Sequence, residues 1–175
     1  METFKNNRVV ISAETIQKRI VEIGKSITAD YQGTELILIG VLKGSLYFLS
    51  DLTRQIDLPL KLDFITISTI PDTTRKTGIV RITKDIDVDI TGRHVLLIED
   101  IIRTGLTTAY LIQTLKPRLP ASLKVCSLLV NPEQQMINVP IAYSGFEISK
   151  TRLIGYGMDI EDFGRNLSYI AEVGK

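Results

Sequence analysis

Glu99 and Asp100 stand side by side where the apolar run Val95–Ile98 ends, and Arg103-Thr104-Gly105-Leu106-Thr107 follows two residues later. Acids that end a buried strand need partners, because carboxylates are rarely left at the edge of a core without one. The Thr-Gly-Leu-Thr stretch opens a helical segment, so backbone N–H groups there point outwards and the helix dipole favours an anion. The hydroxyls of Thr104 and Thr107 add donors. This pattern predicts a phosphate cradle over Thr104–Thr107. Beside it, two carboxylates are suited to ribose hydroxyls or to the shell of a Mg²⁺ ion. The bland alternative is a strand-to-helix turn with two solvated acids. The chain has neither G-x-x-x-x-G-K-[ST] nor G-x-G-x-x-G, which argues against nucleoside triphosphatases and Rossmann dehydrogenases.

Elements that could position such a cradle are visible around it. Ser12 is a plausible helix cap, and Ile16, Ile20, Ile23 and Ile27 after it recur on one helical face. Leu36–Val41 is a continuous apolar run that ends at Lys43-Gly44. Leu46, Leu49 and Leu52 are again helical in spacing, and Leu62–Ile67 alternates like a strand. Gly105 opens a segment with Thr108, Leu111, Ile112 and Leu115 that Pro117 stops. Val125–Val130 is a further short run. Apolar strands separated by helical segments predict an α/β fold, a mostly parallel sheet with helices on both faces. Ligands of such sheets bind at the carboxyl ends of the strands, which directs attention to the loops after Val41, Ile98 and Val130.

Composition narrows the classes. The chain has 175 residues, 44% of them hydrophobic and 23% charged, enough to bury one core. A net charge of +1 argues against a dedicated nucleic-acid binder. Cys126 alone forms no intrachain disulfide, and with a single histidine, His94, it rules out a zinc site of several Cys and His ligands. No apolar run approaches the ~20 residues that cross a bilayer, and the N-terminus has no apolar signal core. The expectation is a soluble, cytoplasmic protein without membrane or nucleic-acid partners.

With these residues in view, the acidic motif resembles the phosphoribosyl-pyrophosphate (PRPP) fingerprint of the type I phosphoribosyltransferase family, in particular its hypoxanthine-guanine members. The resemblance runs through Gly40-Val-Leu-Lys43-Gly44, Gly78-Ile-Val-Arg-Ile-Thr-Lys84-Asp85, the acidic motif, Gly145-Phe-Glu-Ile, Gly155-Tyr-Gly-Met-Asp159 and Arg165-Asn-Leu. It implies a single domain over 1–175, with a small hood from the N-terminal residues and about 155–175. It implies transfer of 5-phosphoribose from PRPP to hypoxanthine or guanine, and a homodimer or homotetramer. Leu42-Lys43-Gly44 is then the pyrophosphate loop, often with a cis peptide at Leu42–Lys43. Thr104, Gly105, Leu106 and Thr107 form the phosphate loop, with Glu99 and Asp100 on the ribose. Asp159, with Glu99 and Asp100, would hold Mg²⁺, and Arg165 would reach the pyrophosphate. Segment 69–78, with Arg75 and Lys76 in it, matches a loop that closes over the site.

The departures fall on the purine side. Arg103 occupies the position where the family has an Asp that handles the acceptor's proton, and a guanidinium takes up no proton at ordinary pH. Asn131 stands where a Lys donates to the purine oxygen. Arg152, next to Leu153 of the same subsite, stands where an aromatic stacks on the base. Thr69-Ile70 replaces a Ser-Tyr pair. The expectation is a transferase whose purine step is weakened, or alternatively an impaired PRPP- or nucleotide-binding regulator or partner subunit. A third possibility is an enzyme for an anionic acceptor, since Arg103 and Arg152 add positive charge to the base pocket.

Overall fold

The apolar runs form the middle of a sheet. The computed structural model describes residues 7–70, 79–150 and 152–174. Among these, strands β1 (Arg8–Ile11), β2 (Leu36–Leu42), β3 (Leu60–Ile70), β4 (Ile79–Lys84), β5 (His94–Ile102), β6 (Ser122–Val130), β7 (Tyr143–Glu147), β8 (Leu153–Ile154) and β9 (Ile170–Glu172) alternate with helices α1 (Ala13–Asp30), α2 (Leu46–Thr53) and α3 (Leu106–Leu115). The main sheet has the order β4-β3-β2-β5-β6-β7. Its neighbours are parallel except β4, which runs antiparallel to β3.

Strands buried on both faces are apolar at every position, which is why β2 reads Leu-Ile-Leu-Ile-Gly-Val-Leu without alternation. Ser12 caps α1, its Oγ accepting from the Thr15 N–H at 3.2 Å. The isoleucine stripe of α1 and Phe48, Leu49 and Leu52 of α2 pack on Leu36, Leu38, Leu96, Ile98 and Leu128. On the opposite face, Leu111 and Leu115 of α3 meet Ile37, Ile39, Leu97 and Val125. Each such side chain, fully buried, contributes about 1.5–3 kcal/mol. The helices therefore clamp the sheet from both sides, and the carboxyl ends of β2, β5 and β6 open on the same edge.

Strand lengths and sheet edges differ from the sequence reading. Strand β5 continues past Ile98 to Ile102, so Glu99 and Asp100 lie inside the strand, and Glu99 pairs with Ser127 of β6. Strands β4 and β7 extend the sheet at its two edges. A second sheet, β1-β9-β8, is antiparallel and joins the start of the chain to its end. Thr69 and Ile70 belong to β3, whereas 71–78, the bulk of the expected closing loop with Arg75 and Lys76, lie outside the described residues.

Two side chains fix the edges. Asp63 of β3 accepts from the backbone N–H groups of Phe64, Asp87 and Val88 at 2.7–2.9 Å, tying the strand to the segment after β4. Burial raises its pKa, but these N–H groups and Lys84 more than offset that and hold the carboxyl below its ordinary range. At the far edge, Arg19 of α1 donates to the carbonyls of Ser144 and Gly145 in β7.

Candidate active site

The carboxyl ends of β2 and β5, the start of α3 and the turn after β8 surround a cleft of about 440 Å³. Gly44, Glu99, Asp100, Arg103, Thr104, Gly105, Thr107 and Asp159 of the expected site line it, together with Val41, Leu42, Ile67, Thr108 and Met158. Lys43, Leu106, Asn131, Arg152, Leu153 and Arg165 are not among the lining residues. Two of these, Lys43 and Arg165, are held at its rim.

The acids sit deep. Glu99 is 4% exposed, and its Oε1 accepts from the Thr108 hydroxyl at 3.1 Å. Burial and then the neighbouring Asp100 push the Glu99 carboxyl up to about 8, with the Thr108 hydrogen bond a smaller opposing effect. Burial also raises Asp100, against nearby backbone N–H groups and the positive charges of Arg103 and Arg165. Desolvation of two adjacent carboxylates thus leaves the floor less negative than its composition suggests, a form that a cation would reverse. Thr108, read from the sequence only as a residue of a helical face, is a missed member of the site. Its signal is its place nine residues after Glu99, one turn into a helix that packs over that strand.

The loop expected to hold phosphate owes its shape to glycine. Gly105 has φ +78°, and a Cβ there would strike the Ile137 carbonyl. Thr104 O accepts from the N–H groups of Met136 and Ile137 at 3.0 and 3.1 Å, which braces the turn from outside. The first N–H groups of α3 have no partner within the helix and face an incoming anion. Leu106 opens the helix, and its N–H lies 3.4 Å from Thr104 Oγ1.

Across the cleft the chain stacks backbone on backbone. The Leu42–Lys43 peptide is cis, as the resemblance implied. A Cβ on Gly44 would collide with the Asp100 carboxyl group, and one on Gly157, at φ +98°, with the Gly44 carbonyl. Asp100, Gly44 and Gly157 are therefore in series. Around them runs an ionic network. Arg165 reaches Asp159 Oδ1 at 2.6 Å, Asp162 Oδ1 at 3.2 Å and the Gly157 carbonyl at 2.8 Å, and Lys43 Nζ reaches Asp162 at 3.0 Å. The Lys43 hydrogen bond, then that of Arg165, holds Asp162 below the usual carboxylate range. Asp162 was missed in the sequence; it lies three residues after Asp159 in a turn with no regular pattern.

The acceptor side is looser. Arg103 is exposed and makes no hydrogen bond or ion pair among the described residues. Asn131 ends β6 against β5, its N–H donating to Ile102 O at 2.9 Å. It is fully buried, and neither its amide nitrogen nor its amide oxygen has a partner among the described residues. Arg152 is exposed immediately before β8, and Leu153 is buried within it.

Asp159, Asp100 and Glu99 supply oxygen donors around one cleft. No group of three or more His, Cys, Asp or Glu able to hold a metal occurs among the described residues. The expected trio Glu99, Asp100 and Asp159 therefore does not gather round one ion, and Mg²⁺ in this cleft would take one or two of these carboxylates with waters and substrate phosphates. No described helix is long and apolar enough to cross a membrane.

Comparison with known proteins places this geometry. The phosphoribosyl transferase domain model matches residues 12–161. A hypoxanthine-guanine phosphoribosyltransferase of Mycobacterium avium is 44% identical over 93% of this chain and 83% of its own. A hypoxanthine phosphoribosyltransferase of Haemophilus influenzae is 43% identical over 94% of both chains. The crystal structure of a hypoxanthine-guanine phosphoribosyltransferase of Bacillus anthracis superposes with a TM-score of 0.91 at 40% identity, covering 95% of this chain and 98% of that one.

Proposed function

This chain belongs to the phosphoribosyltransferase family, and on that premise we propose that it transfers 5-phosphoribose from PRPP to hypoxanthine or guanine, releasing pyrophosphate, and does so slowly. The observation that carries the reading is the cleft itself: buried Glu99 and half-buried Asp100 beside the Thr104–Thr107 loop, with the Gly44 loop and Asp159 facing them. Such a site holds both phosphate ends of one sugar and leaves C1′ between them.

The amides and hydroxyls of Thr104–Thr107 bind the 5′-phosphate at the start of α3. Glu99 and Asp100 take the ribose hydroxyls and stabilise the positive charge that grows on the ring as the C1′–O bond breaks. Backbone groups of Lys43-Gly44 meet the pyrophosphate, and Arg165 turns towards it from Asp159. One or two of the carboxylates of Asp159, Glu99 and Asp100 would hold Mg²⁺, whose chemistry is to neutralise charge on the diphosphate. Met158 and Ile67 make the walls apolar and limit water. We propose a homodimer or homotetramer on family grounds, which light scattering would measure.

The slow step is the acceptor's proton. Arg103 lines the cleft where a proton acceptor is needed and cannot serve as one. Absence of a general base costs about 10²–10⁴-fold. Pyrophosphate release with hypoxanthine and guanine, measured beside PRPP binding by calorimetry, tests this. Arg103→Asp should raise turnover by roughly 10²-fold with PRPP affinity unchanged. A wild type as fast as or faster than the variant would overturn it. PRPP binding without pyrophosphate release in either form would favour the regulatory reading, which the intact donor half and the unpaired Arg103 also suit.

A further inference from the structure

We infer that the preferred acceptor is a purine-like heterocycle that arrives as an anion, with the proton of its five-membered ring already lost. The inference rests on the transfer reading and names the acceptor class for that same site.

The cations around the cleft differ in what holds them. Lys43 and Arg165 are each engaged, the first with Asp162 and the second with Asp159 and Asp162. Arg103 is not: it lines the cleft, is exposed, and has no ion pair or hydrogen bond among the described residues. A guanidinium with five N–H donors and no partner, at the mouth of an anion-binding cleft, is suited to a negatively charged ligand atom. The adjacent strand end is neutral. Asn131, whose N–H bonds Ile102 O, carries no charge, and its buried amide is unpartnered.

The acids of the cleft are committed elsewhere. Glu99 is buried and receives the Thr108 hydroxyl, Asp100 packs on Gly44, and Asp159 pairs with Arg165. Two of the three, Glu99 and Asp159, are therefore already engaged by other side chains.

Transfer to a neutral purine needs a ring nitrogen to lose its proton while its electron pair forms the bond to C1′. An anionic acceptor removes that requirement. Its ring nitrogen supplies the electron pair for the N–C1′ bond, the C1′–O bond breaks, and pyrophosphate leaves with that pair. No proton is released, so no base is required, and Arg103 holds the anion that a carboxylate there would repel.

The test uses pairs of isosteres that keep the exocyclic groups constant. Hypoxanthine is compared with 8-azahypoxanthine, and guanine with 8-azaguanine, the aza ring being the more acidic of each pair. We expect kcat/KM for the aza compounds to exceed that of their parents by roughly 10²-fold, the general-base deficit falling only on the neutral parents. Arg103→Lys should keep the preference, Arg103→Gln should lose it without speeding the parents, and Arg103→Asp should reverse it. PRPP binding by calorimetry reports that each variant is folded. Equal or faster use of the neutral parents by the wild type would overturn the inference and leave the transfer reading standing. No pyrophosphate release with any of the four, in a protein that binds PRPP, would overturn both.

Discussion

At the end of the cleft proposed for the diphosphate the charged groups hold one another, whereas at the proposed acceptor end Arg103 makes no ion pair or hydrogen bond among the described residues and acts on Asp100 only through its charge. Asp159 is fixed by Arg165 and by the Asp162 N–H, Lys43 by Asp162, and the Gly44 carbonyl by contact with Gly157. Arg103 has no such partner among the described residues, and Asn131 is buried with its amide unmatched. The difference teaches where a site of this kind can change. The proposed donor half is built from backbone shape and interlocked ion pairs, so a substitution there disturbs several contacts together. Acceptor choice depends on single side chains, so it can shift while the donor half stays as it is.

The strongest way to break that contrast is Gly157→Ala. The new methyl group would meet the Gly44 carbonyl at a positive φ and push the pyrophosphate loop towards Asp100. We expect kcat/KM for PRPP to fall by about 10²-fold, as misplacement of about 1 Å does, while the ratio between acceptors stays constant. Steady-state kinetics with two acceptors checks both halves. Asp159→Asn comes next. It removes a charged partner of Arg165 and a donor for Mg²⁺, and PRPP should bind about tenfold or more weakly by calorimetry. Affinity unchanged in the presence of Mg²⁺ would contradict the donor assignment.

A smaller effect separates positioning from chemistry. Thr108→Val removes the hydroxyl on Glu99 without changing its volume much, and kcat should drop about fivefold, with Thr108→Ser restoring it. The smallest effect on the contrast comes from the sheet. Asp63→Asn should leave both halves kinetically intact yet cost about 1.5–3 kcal/mol of stability at pH 7, because three N–H groups lose an anionic acceptor. The folded carboxyl of Asp63 lies below its ordinary value of 3.8, so its contribution is present above that value and is lost as pH falls through the lower folded one. Denaturation curves of wild type and variant should therefore converge in strong acid and diverge towards neutrality.

The parts legible in the sequence are those that local rules determine. The isoleucine stripe of α1, its Ser12 cap and the runs of β2, β5 and β6 follow from period and burial. Helix α3 likewise ends before Pro117. The acids at the end of an apolar run, followed by Thr-Gly-Leu-Thr, pointed to the residues that line the cleft. The shorter strands were not legible, since β8 has two residues and β9 three, too few for any alternation. The reversed direction of β4 is a property of pairing and leaves no mark on its own residues. Side-chain links across long sequence distances were equally hidden. Lys43 meets Asp162, 119 residues later, only because the end of the chain folds back over the loop after β2.

The bond from Arg19 to the edge of the sheet carries a consequence for how the molecule keeps to itself. Strand β7 closes the sheet on one side, and a parallel sheet that ends in a bare strand offers a row of carbonyls and amides to any other chain. Arg19 reaches over from α1 and occupies two of those carbonyls, Ser144 O and Gly145 O, with a charged and half-buried guanidinium. A foreign strand would have to strip that cation from the edge and break both hydrogen bonds before it could add to the ladder. The helix that covers one face of the core thereby also supplies the guard against self-templated growth at its border.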